Sequence, residues 1–62
     1  MMNINELRNT VATYDGDSIL TTSTGELEIL CGEVDVAIPC TYEFGTWMAR
    51  EADINYVMGL LS

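Results

Sequence analysis

Closely spaced carboxylates are the side chains of this sequence with the clearest chemical potential. They occur in two short alternating runs, whose acidic members are Glu26, Glu28, Glu33 and Asp35. Carboxylate oxygens can coordinate hard cations, transfer protons in glycosidase-type catalysis, or present negative charge to a basic partner. The other residues of the chain, and the elements that position the carboxylates, decide between these chemistries.

The sequence supplies few of the other groups that catalysis requires. His is absent, and the two basic residues are both Arg, which removes the commonest general base and the Schiff-base nucleophile. Without a His to activate them, Cys31 and Cys40 are interpreted as reduced, buried small hydrophobes. A chain of 62 residues also has little room for a glycosidase cleft. The prediction is a protein that is not an enzyme, has no catalytic residues and carries no cofactor.

The segment Asp15-Gly16-Asp17-Ser18 superficially resembles a calcium-binding loop. Oxygen ligands of this kind suit Ca²⁺ or Mg²⁺. The glycine is misplaced for the EF-hand pattern, however, and an Asp-Gly-Asp segment is more often a turn. No metal site is therefore predicted.

The charge balance restricts the kinds of partner. Ten acidic residues against two Arg give a net charge of −8 and a pI near 4.1, which works against direct binding to nucleic acid or an anionic membrane. Hydrophobic residues make up 48% of the chain, enough for one modest core, so residues 1–62 are predicted to form a single domain. The N-terminus lacks a signal peptide and the chain lacks a membrane-spanning apolar run, so a cytoplasmic location is expected.

Helical spacing of apolar residues predicts a helix at each end of the chain. The first has an apolar stripe, a cap at Asn3 or Asn5, and an end at Asp15-Gly16-Asp17. Its stripe is Ile4, Leu7, Val11 and Tyr14. The second is predicted to begin with Thr46 as N-cap, and either one helix or two short helices broken near Asp53 would fit. Its stripe is Trp47, Ile54, Val57, Met58 and Leu61.

Between these helices, alternating apolar and polar residues predict three strands, at residues 18–23, 26–31 and 33–38. Thr24-Gly25 and Gly32 mark the turns, and Pro39 either ends the third strand or places it on an edge. Turns this short require antiparallel neighbours. The predicted fold is therefore α+β, a three-stranded antiparallel β-meander with an N-terminal and a C-terminal helix packed on one face.

The alternation assigns the carboxylates to one surface of the meander. With a turn at Cys31-Gly32, Glu28 stands opposite Asp35, and a shift of two residues changes the partners but not the faces. Like charges in such positions destabilise a sheet, and residues 9–49 contain no basic residue. The predicted partner-binding acidic face is Glu26, Glu28, Glu33 and Asp35, extended by Glu43, Glu51 and Asp53 if the last helix starts beside the sheet edge.

A rigid row of carboxylates can occupy a basic groove shaped for a nucleic-acid backbone. In size, charge and pattern the chain resembles the small phage-encoded inhibitors of bacterial defence, namely anti-CRISPR proteins and DNA-mimicking anti-restriction proteins. The resemblance covers the whole chain but carries no residue-level motif. It implies a bacterial partner that binds nucleic acid, such as a CRISPR effector complex, and inhibition by blocking access to nucleic acid.

A second interpretation starts from the C-terminal segment. Tyr56 and Leu60 lie off its apolar stripe, four residues apart, and an apolar surface of this kind usually meets a partner. The alternative function is therefore a small acidic phage or plasmid assembly module that oligomerises, or forms a weak homodimer, through its C-terminal helix.

Overall fold

Five strands and two helices make up the part of the chain that the structure describes. The computed structural model describes residues 1–14, 19–23 and 25–62. In chain order the elements are β1 (Met2–Asn3), α1 (Asn5–Ala12), β2 (Ile19–Ser23), β3 (Glu26–Cys31), β4 (Val34–Glu43), β5 (Thr46–Ala49) and α2 (Glu51–Leu61). The Asp15-Gly16-Asp17-Ser18 segment and Thr24, to which sequence predictions were attached, lie outside the described residues.

The strands form one antiparallel sheet in the order β1-β5-β4-β3-β2. The predicted α+β class is confirmed, but the three-stranded meander is wrong because β1 and β5 add two strands beyond β4. β4 is long enough to pair with a different strand along each of its two parts. Its first part, to Pro39, pairs with β3, and its last part, from Cys40, pairs with β5.

Pro39 lies within β4 rather than at its end. The Cys40 N–H donates to the Gly25 carbonyl oxygen at 3.2 Å, so even-numbered residues here direct their N–H groups toward β3. The nitrogen of Pro39 therefore faces the other side, where β5 pairs only from Cys40 onward. Its missing N–H costs no ladder hydrogen bond, and β4 continues through it.

The segment predicted to begin the last helix instead forms β5. Phe44 and Gly45 take positive φ values of 55° and 78°, the type I′ pattern of a two-residue hairpin, and Glu43 pairs with Thr46. Aromatic Trp47 suits a strand. Helix α2 starts only at Glu51, after Arg50, and is continuous through Asp53.

One core joins both helices to a single sheet face. Three residues of the predicted α1 stripe, three of the predicted α2 stripe, and alternate residues of β3, β4 and β5 are at most 6% exposed. This cluster is Ile4, Leu7, Val11, Leu27, Ile29, Cys31, Ile38, Cys40, Ala49, Ile54, Val57 and Leu61. No polar or charged residue of the described ranges is buried, so the described charges all lie at the surface.

The ends of the helices differ slightly from expectation. Asn3 serves the N-terminus of α1, where its Oδ1 accepts the Asn5 N–H at 3.1 Å. The helix ends at Ala12, so Tyr14 lies beyond it and is 36% exposed. Neither described helix is long and apolar enough to cross a membrane.

Candidate functional site

The turn between β3 and β4 sets the positions of the acidic residues. It consists of Gly32 and Glu33, since Cys31 pairs with Val34. Only Gly32 has a positive φ, 61°, which is the type II′ pattern with glycine at the first central position. The predicted Cys31-Gly32 turn is therefore wrong, and the true register is shifted by two residues.

This shift separates the carboxylates from one another across the strands. Glu28 pairs with Ala37, not Asp35, and Asp35 pairs with Leu30. The predicted like-charge pair across the two strands does not exist. Each carboxylate instead has an uncharged partner, which removes the direct repulsion that such a pair would add.

The carboxylates remain on the predicted face of the sheet, because a register shift of two residues does not change which face a side chain occupies. Glu26, Glu28 and Asp35 all lie on the sheet surface opposite the core, and all are exposed. Glu43 lies on the same surface farther along β4, by the same alternation. We call Glu26, Glu28, Asp35 and Glu43 the acidic row. Glu33 is exposed in the turn rather than on a strand.

The acidic row runs along most of the molecule. Asp35 and Glu43 are both on β4, so about 3.4 Å per residue places them about 27 Å apart. The longest dimension of the protein is 31 Å. Glu28 lies diagonally from Asp35, at about 7–8 Å between backbones, and about 7 Å from Glu26. Glu26, Glu28 and Asp35 are therefore spaced by about 7 Å, whereas Glu43 lies four residues, about 14 Å, beyond Pro39, the partner of Glu26.

Two of the predicted site residues lie elsewhere. Glu51 and Asp53 are in the first turn of α2, and α2 packs on the core side of the sheet. They belong to the helical layer and do not extend the acidic row. At a helix N-terminus their charge favourably opposes the helix dipole, which gives them a role in folding.

The cations of the chain are also outside the sheet. Arg8 is exposed on α1, and Arg50 is the exposed N-cap residue of α2. None of the five described strands contains a basic residue. The acidic row consequently has no basic neighbour within the sheet.

A second surface feature, which the sequence analysis did not predict, occupies the end of the sheet near the β4–β5 hairpin. Tyr42 and Trp47 pair across the strands with ring centroids 5.2 Å apart and planes inclined by 69°. They border an open cavity of about 380 Å³. We call this the aromatic groove; its lining residues are Gly25, Cys40, Thr41, Tyr42 and Trp47.

The tip of the same hairpin exposes a further ring. Phe44 is 97% exposed and Tyr42 is 61% exposed. The sequence signal for this hairpin was the dipeptide Phe44-Gly45 between alternating residues. It was missed because Trp47 was assigned to the last helix. Three aromatic side chains are thereby gathered at one end of the sheet.

The thiol in this region is unreactive. Burial raises the pKa of Cys40, and the nearby negative charge of Glu26 raises it further. Its Sγ lies 3.8 Å from the Ser23 carbonyl oxygen, to which it donates. A protonated thiol is a poor nucleophile, so Cys40 contributes apolar surface to the groove rather than chemistry. Within the described ranges no group of three or more His, Cys, Asp or Glu residues is placed to hold a metal ion.

Comparison with known proteins adds no relative to this picture. No family model, no curated protein and no solved structure matches the chain. Function is therefore inferred from the geometry and charge of the surface.

Proposed function

We propose that this protein is a non-enzymatic inhibitor that binds a nucleic-acid-binding protein in the bacterial cytoplasm, such as a CRISPR effector or a similar defence enzyme. Binding occurs through the acidic row and blocks access of nucleic acid. The observation that carries the proposal is the acidic row itself, a set of exposed carboxylates on one sheet face with no basic neighbour in any of the described strands.

The acidic row differs from the acidic residues of the two helices in lying where negative charge does not stabilise the local structure. Glu6, Glu51 and Asp53 lie in first helical turns, where negative charge is stabilising. Glu26 and Glu28 occupy strand positions, where acidic residues are disfavoured. Carboxylates at any exposed site would increase solubility. Their concentration on one sheet face therefore favours a role in binding.

The scaffold also suits mimicry of a nucleic-acid backbone. β3 and β4 are paired over six residues each, and side chains on such a ladder have fixed spacing. A preorganised row of charge loses less conformational entropy on binding than a flexible acidic tail. Complementary charge also accelerates encounter with a basic groove.

Displacement of host proteins from immobilised DNA tests the proposal. Bacterial lysate is bound to DNA-cellulose at low salt, the protein is added, and the released proteins are identified by mass spectrometry. We expect release of a discrete set of DNA-binding proteins. The variant E28Q/D35N should release them with about two- to thirtyfold lower potency, because each exposed charge pair contributes about 0.2–1 kcal/mol.

A matched variant separates the acidic row from total charge. E6Q/E51Q removes the same two charges from the helical layer, so it should displace the same proteins as effectively as the unmodified protein. Equal loss of potency in the two variants, or no release by the unmodified protein, would contradict the proposal. Circular dichroism verifies that both variants remain folded.

A second candidate function rests on α2. Tyr56 and Leu60 are 60% and 42% exposed, and their spacing of four residues places them on one side of the helix. An assembly module would self-associate through this surface with little dependence on salt. Sedimentation equilibrium of the protein and of Y56Q/L60Q tests this function, which requires a dimer that the variant loses.

A further inference from the structure

Part of the long strand β4 has an unpaired side. Its last part pairs with β5, but between Val34 and Pro39 the only described strand that pairs with it is β3. Even-numbered residues here direct their N–H groups toward β3, so the N–H and carbonyl groups of Asp35 and Ala37 point to the other side. We call the side of residues Val34 to Pro39 that faces away from β3 the open edge. Backbone groups in this position can pair with an added strand.

On the core face of the sheet, apolar side chains at the open edge are incompletely covered. Val34 and Val36 point to this face, yet both are only partly buried. Their cross-strand partners on β3, Cys31 and Ile29, are at most 2% exposed. The uncovered surface of the two Val side chains therefore opens to the side away from β3. Apolar side chains of an added strand would be buried against it.

On the outer face, the open edge carries negative charge. Asp35 and Ala37 point to this face, and the cross-strand partner of Ala37 is Glu28. Both carboxylates are exposed. An outward side chain of an added strand would stand beside Asp35, and Glu28 lies two strand spacings, about 10 Å, from that strand. Because the side chain of Ala37 is short, a Lys or Arg side chain can extend across it toward Glu28. The carboxylates and the side chains that they would attract are thus on the same face.

We propose that the open edge binds an extended segment of a protein partner as an additional antiparallel strand, in which β-branched apolar residues alternate with Lys or Arg. The apolar residues cover Val34 and Val36, and the basic residues lie beside Asp35 and Glu28. Antiparallel pairing is the arrangement of every described strand pair in the sheet. This inference rests on the proposed function and specifies the segment through which the partner of the acidic row is held.

A second copy of this chain suits the open edge less well. Its own β4 would bring a second Asp35, and the whole copy a net charge of −8. None of the described strands contains a basic residue, so no strand of a copy could neutralise the carboxylates. Like charges that are brought together across an interface disfavour association. Charge complementarity therefore selects a basic strand.

Hydrogen exchange of single amides, measured by NMR on the full chain, tests the proposal. The probe is a blocked peptide, Lys-Val-Lys-Val-Lys. In the proposed pairing the Lys residues stand opposite Asp35 and Ala37, so their backbone N–H groups point to β4 while those of Val point away. We expect the peptide to slow exchange at the Ala37 amide more than at the Val36 amide, which already faces β3.

Modified peptides separate main-chain pairing from charge. Methylation of the backbone nitrogen of the central Lys should lower the affinity about two- to tenfold, because one hydrogen bond is lost. Methylation of a Val backbone nitrogen should have little effect. Replacement of all Lys by Thr should lower the affinity about two- to thirtyfold at low salt. Equal effects of the two methylations, or equal affinities of the Lys and Thr peptides, overturn the proposal.

Substitutions of Ala37 test the same edge from the side of the protein. A37P removes the N–H on the open side without the loss of a hydrogen bond to β3, as Pro39 does, and should weaken peptide binding. A37S retains the N–H and should bind the peptide like the unmodified protein. Unchanged binding by folded A37P contradicts the proposal. The methylated peptides give the same test on the unmodified protein, so the result does not depend on the folding of A37P.

A further outcome would assign the open edge to self-association. Exchange at the Ala37 amide would then slow with rising protein concentration in the absence of peptide, and the proposal would be wrong. Failure of the open edge is distinguishable from failure of the proposed function. If A37P displaces host proteins from DNA as well as A37S does, while E28Q/D35N loses potency, only strand addition is excluded. If the peptide binds at Ala37 but no host protein is released, the proposed function is wrong and the open edge remains a binding site.

Discussion

At the scale of single residues, the buried thiol of Cys40 makes the free energy of unfolding depend on pH. Its pKa is raised above the ordinary value of 9.0 by burial and by Glu26, so the folded state holds this proton more tightly than the unfolded state. Its contribution to stability is complete below the ordinary thiol pKa and is lost as the pH rises through the raised value.

We therefore expect the free energy of unfolding to decrease above about pH 9, the thiol's ordinary range. C40A should be less stable at neutral pH because it leaves a small cavity, but its alkaline decrease should be shallower. Urea unfolding between pH 7 and pH 10.5 measures both slopes. Tyr ionisation affects the two proteins equally, so parallel slopes would contradict the assignment to Cys40.

The positive φ of Gly45 indicates that the β4–β5 turn requires glycine at this position. A Cβ at Gly45 would meet no atom within 4 Å, so G45A costs only the backbone strain of its φ of 78°. We expect a loss of about 1 kcal/mol, measured by chemical denaturation. G59A, in α2 and equally free of contacts, should instead gain about 1 kcal/mol, and a gain by both variants would contradict this account.

At the scale of elements, sequence alternation predicts faces more securely than it predicts partners. β3 has its predicted bounds, and the carboxylates remain on the outer face despite the two-residue register shift, because an even shift preserves parity. The register itself depended on whether Gly32 stood first or second in the turn, which sequence spacing alone does not determine. The expected repulsion between Glu28 and Asp35 depended on that detail.

β5 was missed for a related reason. Trp47 fits both a helical stripe with later apolar residues and a strand partner for Tyr42, and only the folded hairpin decides between them. With Trp47 assigned to a helix, the aromatic groove could not be predicted. Its cross-strand contact arises from pairing between β4 and β5, which is a tertiary property.

β4 also leaves part of its edge without a described strand. Between Val34 and Pro39 it pairs only with β3, and open strand edges promote association. Pro39 lacks an N–H on this open side. We expect P39T to add a donor there and to increase concentration-dependent association, measured by analytical ultracentrifugation. A37T adds the same side chain on the same strand and retains Pro39, so equal association of the two variants would contradict protection by proline.

At the scale of the whole molecule, a net charge of −8 opposes folding, whereas in the proposed function the same carboxylates promote binding. Self-repulsion destabilises a compact state, and salt screens it with a Debye length of about 10 Å at 0.1 M. Screening also weakens attraction to a basic partner. Salt is therefore expected to change stability and binding in opposite directions.

Between 0.05 M and 0.5 M NaCl, the free energy of unfolding should rise by roughly 1 kcal/mol, while displacement of proteins from DNA should become weaker. E28Q/D35N should show a smaller salt gain in stability than the unmodified protein, because two members of the acidic row are neutral. E6Q/E51Q provides the comparison at equal net charge. If the acidic row is the binding surface, both variants should lose part of the salt-dependent gain in stability. Only E28Q/D35N should show a shallower salt dependence of displacement, because only this variant has lost charge from the binding surface. Identical salt dependence of displacement in the two variants would show that total charge, and not the position of the carboxylates, drives the interaction.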